Sequence, residues 1–151
     1  ASRGLGDVYK RQPLGYSVLF LADLHCGRSG GPDIQQMDAF METVASIAWS
    51  MCQENVLFYI SWYDESQGSL VRCPMGQEQQ VYEVIGQLLR ASCYRQIYDL
   101  EEGYKAEFPE GGYSTVLRLD TDLCLWVNGK QEAVFSVQEL KHQVESLILE
   151  V

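Results

Sequence analysis

Ser17-Val-Leu-Phe-Leu-Ala-Asp-Leu-His-Cys-Gly-Arg-Ser-Gly-Gly31 is the stretch that decides the fold. Five apolar residues, Val18 to Ala22, run without a break into Asp23, and a glycine-bearing loop follows. An apolar run of this length without alternation predicts a strand buried on both faces, as in a parallel sheet covered by helices. In such sheets ligands sit outside the carboxyl ends of the strands. Asp23, His25 and Cys26 fall at that end, so a site is expected there.

Working outward, the segment from Asp33 to Cys52 reads as a helix. Ile34, Met37, Met41, Val44, Ala48 and Met51 recur at spacings of three and four, and Phe40 and Ile47 widen the stripe. Pro32 suits its first turn and Asn55 its exit. Val56 to Tyr63 predicts a second buried strand, and Asp64 to Gly68 a turn. Ser69 to Met75 then returns antiparallel, with Arg72 and Pro74 fitting an edge. A second helix is expected over Gln77 to Ser92, with Val81, Val84, Ile85, Leu88 and Leu89 inward. Between Cys93 and Gly112 the pattern is weak, with room for a short helix within Ile97 to Phe108 interrupted by Gly103 and Pro109. Tyr113 to Leu119 is a further strand. Leu123 to Val127 follows too closely for a helical crossover, so the two form one bent strand or a tight meander. Asn128-Gly129 predicts a hairpin into Gln131 to Phe135. Ser136 with Glu139 forms a capping box for a last helix bearing Val137, Leu140, Val144, Leu147 and Val151.

The composition of the 151 residues is that of one globular domain: 46% apolar, 21% charged, with a formal net charge of −10. Apart from the adjacent Lys10 and Arg11, basic residues are scattered singly, which excludes the clustered footprint of a nucleic-acid binder and contact with anionic membrane surfaces. No apolar run is long enough to span a bilayer. The five cysteines, at 26, 52, 73, 93 and 124, show no disulfide spacing and predict free thiols in a reducing compartment. Residues 1–12, Ala-Ser-Arg-Gly-Leu-Gly-Asp-Val-Tyr-Lys-Arg-Gln, resemble a translated linker from environmental libraries. On that resemblance the domain is 13–151 and the C-terminal piece of a longer protein.

The order strand, acidic loop, helix, strand, antiparallel edge strand, helix, strand resembles a von Willebrand factor A domain. It is most similar to the uncharacterised bacterial group encoded beside MoxR-type AAA+ ATPases, which shares the strand ending in aspartate. That group also has a helix like Met37-Asp-Ala-Phe-Met-Glu-Thr-Val-Ala-Ser-Ile-Ala48 and a Trp-bearing second strand. The resemblance covers Tyr16 to Leu89. It implies a three-layer α/β sandwich with a mainly parallel sheet, an antiparallel edge strand and a C-terminal hairpin and helix. It further implies a non-enzymatic interaction or scaffold module on the cytoplasmic side of a membrane-tethered protein, partnered by a MoxR-type ATPase.

The metal-ion-dependent adhesion site of that superfamily reads Asp-x-Ser-x-Ser, because Mg²⁺ takes hard oxygen ligands. Here Asp23, His25 and Gly27 stand at those positions, and Asp120 or Asp122 matches a later ligand. Imidazole is a poor Mg²⁺ ligand and glycine offers none, so the site is degenerate and no cofactor is expected. Asp23, His25, Gly27 and Arg28 are then candidates for contact with a protein partner. The rival class is a small flavodoxin- or Rossmann-like nucleotide-binding or enzymatic domain using the same strand ends. The glycines at 27, 30 and 31 match neither dinucleotide nor P-loop spacing, and Asp23 would repel a phosphate. His25-Cys26 lacks a third orienting group for nucleophilic catalysis and a spacing for zinc. For Asp23 itself the simplest role is capping its own loop. Trp49, Trp62 and Trp126 read as core. The acids Asp99, Glu101, Glu102, Glu107 and Glu110 read as a solvated face, with docking of a basic partner as the alternative.

Overall fold

The computed structural model describes residues 15–26, 33–96, 98–109 and 111–135. Six strands form one sheet: β1 Tyr16–Ala22, β2 Leu57–Asp64, β3 Ser69–Met75, β4 Thr115–Leu119, β5 Cys124–Val127 and β6 Lys130–Val134. The helices are α1 Ile34–Gln53, α2 Glu78–Leu89 and α3 Leu100–Glu107. Sheet order is β3-β2-β1-β4-β5-β6. β1 lies at the centre, parallel to β2 on one side and to β4 on the other.

The unbroken apolar run in β1 has the predicted cause. Val18, Phe20 and Ala22 pack with Phe40, Val44, Ile47 and Met51 of α1 and with Val81, Val84 and Leu88 of α2. Leu19 and Leu21 face the other way, onto Leu100 and Tyr104 of α3. The layers are therefore helices, sheet, helix, and both faces of the central strand are dry. Fully burying each of these side chains contributes about 1.5–3 kcal/mol. The α3 side is the thinner layer and is filled by rings. Tyr16 stacks on Tyr59 at 4.6 Å, and the Arg72 guanidinium from β3 sits 4.4 Å from the Tyr59 ring and 4.0 Å from that of Phe108.

The expected mainly parallel sheet with an antiparallel edge strand and a C-terminal hairpin is found with a smaller parallel part. Parallel pairing is confined to β2–β1 and β1–β4. β3 runs antiparallel to β2, and β4–β5 and β5–β6 are antiparallel as well. The reason is connection length. Residues 120–123 between β4 and β5 suffice for a tight turn, closed by Asp120 and Leu123 backbone bonds of 3.1 and 3.0 Å, and the bent-strand alternative falls away. Asn128-Gly129 makes the predicted hairpin, with both residues at positive φ (51° and 84°). The Asn128 side chain also accepts from the Val116 N–H at 2.8 Å, tying the hairpin back to β4.

Two apolar positions depart from their expected burial. Leu89 is 62% exposed while Val81, Val84 and Leu88 are buried. At about 100° per residue those three share one narrow stripe, and Leu89 lies about a quarter turn away from it. Ile34, in the first turn of α1, is 83% exposed. α1 begins at Ile34 itself, and Asp33 caps it by accepting from the Gln36 N–H at 2.8 Å. Asn55 adopts φ 62° at the helix exit, as that residue type favours. Of the tryptophans, Trp62 alone is a core residue, and Trp49 and Trp126 are half-buried. Pro32, the linker-like residues 1–12 and the segment expected to form a last helix lie outside the described residues. Among the described residues, no helix is long and apolar enough to cross a membrane.

Candidate functional site

The chain leaves β1 through α1 on one face and reaches β4 from α3 on the other, so the sheet has its topological switch point between β1 and β4. Each of the three parallel strands ends at an aspartate there: Asp23 after β1, Asp64 closing β2 and Asp120 after β4. All three carboxylates are engaged by the protein itself.

Asp23 is buried, and its Oδ1 accepts from the Tyr94 hydroxyl and from the His25 N–H at 3.2 Å. Its Oδ2 lies 3.3 Å from Nη1 of Arg118, which reaches across from β4. The Arg118 guanidinium in turn lies 5.0 Å from the centre of the Trp126 ring. Burial, and then the adjacent Asp23 charge, push the Tyr94 phenol well above the ordinary tyrosine range. Tyr94 therefore stays a neutral donor, which suits a bond to a carboxylate.

Asp120 organises the β4–β5 turn. Its Oδ1 accepts from the N–H groups of Asp122 and Cys124, each at 3.0 Å, and its Oδ2 accepts from the Trp126 indole at 3.2 Å. Asp122 is exposed. Asp64 is also buried, and its Oδ1 accepts from the Ser66 N–H and hydroxyl at 3.0 and 2.8 Å and from the Ser92 N–H at 3.1 Å. Burial raises its carboxyl pKa, but the hydrogen bonds from Ser92 and Ser66 outweigh that and leave it below the usual value.

His25 forms a parallel bridge with Tyr94, its ring packs edge-on against the Tyr94 ring at 5.2 Å, and its carbonyl accepts from the Thr121 hydroxyl at 2.7 Å. Cys26 is buried beside Cys93, whose thiol is pushed up to about 11 by burial and by its Cys26 neighbour. The five cysteines are free thiols. Gly27 and Arg28 lie outside the described residues. Among the described residues, no three His, Cys, Asp or Glu side chains come together in an arrangement that could hold a metal ion.

A pocket of about 380 Å³ opens beside the ion pair, lined by Asp23, Arg118, Tyr98, Asp99, Leu100 and Glu101. Asp99 caps α3 by accepting from the Glu102 N–H at 3.1 Å. Lys105 neutralises part of the acidic surface, 3.6 Å from Glu101 and 4.0 Å from Glu102.

Sequence reasoning placed Asp23, Asp120 and His25 at the strand ends and missed Tyr94, Arg118 and Thr121. Arg118 did carry a signal, since a guanidinium inside the apolar strand Thr115–Leu119 requires a counter-charge nearby. Tyr94 carried none, because it sits in an irregular segment whose path is set by contact with Leu24 and Cys26. No family model matches the chain, no curated protein is similar to it, and no solved structure matches it.

Proposed function

We propose that this chain is a non-enzymatic interaction module of von Willebrand factor A type whose metal-ion-dependent adhesion site is degenerate. Its partner on this reading is a MoxR-type AAA+ ATPase, met at the carboxyl ends of β1 and β4, on the cytoplasmic side of a membrane-tethered protein.

One observation carries the proposal. The carboxylate that the resemblance assigns to a divalent ion has the Arg118 guanidinium 3.3 Å away, a permanent cation supplied by the chain itself. A Mg²⁺ site needs several uncommitted hard oxygens in near-octahedral array. Asp23 and Asp120 instead spend their oxygens on Tyr94, Arg118, Trp126 and backbone N–H groups. The residues present do not fit the ion. What the same geometry supports is a rigid rim: the end of β1, the residue 94 bridge and the β4–β5 turn are cross-linked through His25, Thr121 and Arg118. Rigid, partly polar loops at strand ends suit recognition of a protein surface.

The test has two arms. Millimolar Mg²⁺ or Mn²⁺ should leave the melting temperature unchanged, and a rise of several degrees would refute the degenerate site. Pull-down of a MoxR-type ATPase should be lost when Asp23 to Gly31 is replaced by a neutral linker. Undiminished capture by that variant would sink the assignment of the docking rim.

A further inference from the structure

On the face of the molecule formed by α1 and α2, a groove of about 730 Å³ runs between the two helices. Its walls are Ala45 and Trp49 on α1 and Val81, Tyr82, Ile85 and Leu89 on α2, and none of the ten residues lining it carries a formal charge. Trp49 and Tyr82 meet edge to face at 5.8 Å across it. Tyr82 and Leu89 are 71% and 62% exposed, so the groove presents large apolar side chains to the outside. In a chain with 21% charged residues and a net charge of −10, an uncharged apolar strip is a departure that points to a contact surface.

Gly86 lies in the floor, in the interior of α2. Glycine destabilises a helix interior relative to alanine, and here no close packing demands it. A Cβ at this position would meet only the Arg90 Nη1, at 3.9 Å. The glycine leaves the floor open for something that comes from outside.

The ends of the groove identify the occupant. Exposed Glu42 lies one turn before Ala45 and exposed Glu54 follows Gln53 at the other end of the α1 wall, while exposed Glu78 precedes the α2 wall and Arg90 follows it. Glu78 lies near enough to the end of α1 to add to the burial that pushes the Cys52 thiol up. The lining spans 45–53 and 81–89, about 12 Å of helix on each wall, which matches two turns of a third helix. We propose that this groove docks an amphipathic helix of a partner protein, with an apolar stripe of about two turns bracketed by lysine or arginine. A second copy of this chain would bring the same acids against each other, so charge complementarity favours the basic partner.

The probe is a 16-residue helical peptide with leucines along a two-turn stripe and lysines at both ends, titrated into the full chain by calorimetry. Comparison peptides carry glutamate in place of lysine, or the same composition in scrambled order. The lysine peptide should bind one to one, at least tenfold tighter than either comparison. Tyr82→Ser and Leu89→Ser should each weaken it fivefold or more, with helix content retained because both side chains are already exposed. Ile34→Ser, at an exposed apolar position outside the groove, should leave it unchanged. The proposal is overturned if the scrambled or glutamate peptide binds equally well, or if neither groove variant weakens binding. It is also overturned if Ile34→Ser weakens binding as much, or if the chain sediments as a dimer that Leu89→Ser dissociates.

Discussion

Removing the Arg118 guanidinium tests whether the chain supplies its own cation to Asp23. Arg118→Met keeps the length and apolar stem of the side chain while taking the guanidinium away from Asp23. Breaking a fully buried pair costs about 3–5 kcal/mol, and an exposed pair contributes at most about 1. The Asp23 side chain is 11% exposed and that of Arg118 28%, with a single contact at 3.3 Å, which places this pair between the two limits. About 2 kcal/mol is expected, to which the lost contact with the Trp126 ring at 5.0 Å adds about 0.5. For a domain of this size that is a fall of about 5–10 °C in melting temperature. Asp23→Asn retains an acceptor for Tyr94 and should cost about 1–2 kcal/mol. The double mutant should then be more stable than the sum of the singles implies, by about 1–1.5 kcal/mol in urea titrations at constant slope. The coupling should persist in 1 M NaCl, since the carboxylate is mostly shielded from mobile ions. Additivity of the two changes to within about 0.3 kcal/mol would refute the reasoning.

Gly86→Ala should raise the urea midpoint by the equivalent of about 0.5–1 kcal/mol, because the new Cβ meets only the Arg90 guanidinium at 3.9 Å; a lower midpoint would contradict an open floor in α2. Tyr94 and Tyr113 both have phenol pKa values raised in the folded state, first by burial and then by Asp23 and Tyr104 respectively. Their stabilisation is complete below the unfolded tyrosine value of about 10 and is lost as pH rises towards the folded values. Unfolding followed by circular dichroism should therefore coincide with the last tyrosinate absorbance above about pH 10, and early titration of all tyrosines in the folded protein would disprove it. The lowered Asp64 pKa has the opposite sign, giving stability that is present above about pH 4 and lost as acid protonates the folded carboxylate. Asp64→Ala should cost about 2–3 kcal/mol near neutral pH by chemical denaturation, since it leaves the Ser66 and Ser92 N–H groups without their acceptor.

Much of the architecture was legible in the order of residues, because its cause is local. The apolar run Val18–Ala22, the three-four spacing through α1 and the Asn128-Gly129 pair each specify an element through periodicity or backbone preference alone. The candidate site was legible only at its backbone position. Asp23 and Asp120 could be assigned to strand ends, but the partners that define the chemistry of Asp23 lie 95 residues away for Arg118 and 71 for Tyr94. Leu89 shows the same limit within a helix, since period alone did not tell which apolar residues the sheet would cover and which would face the groove.

The sequence by itself determined where strands and helices form, that β1 is buried on both faces, and that an acidic residue stands at its carboxyl end. Only the tertiary structure decided between a bent strand and a tight turn after β4, and matched Asp23 with Arg118. The physical reason is that periodicity reports how much of a residue's surroundings are apolar. Charge pairing and strand order depend instead on which distant segments the short connections allow to meet.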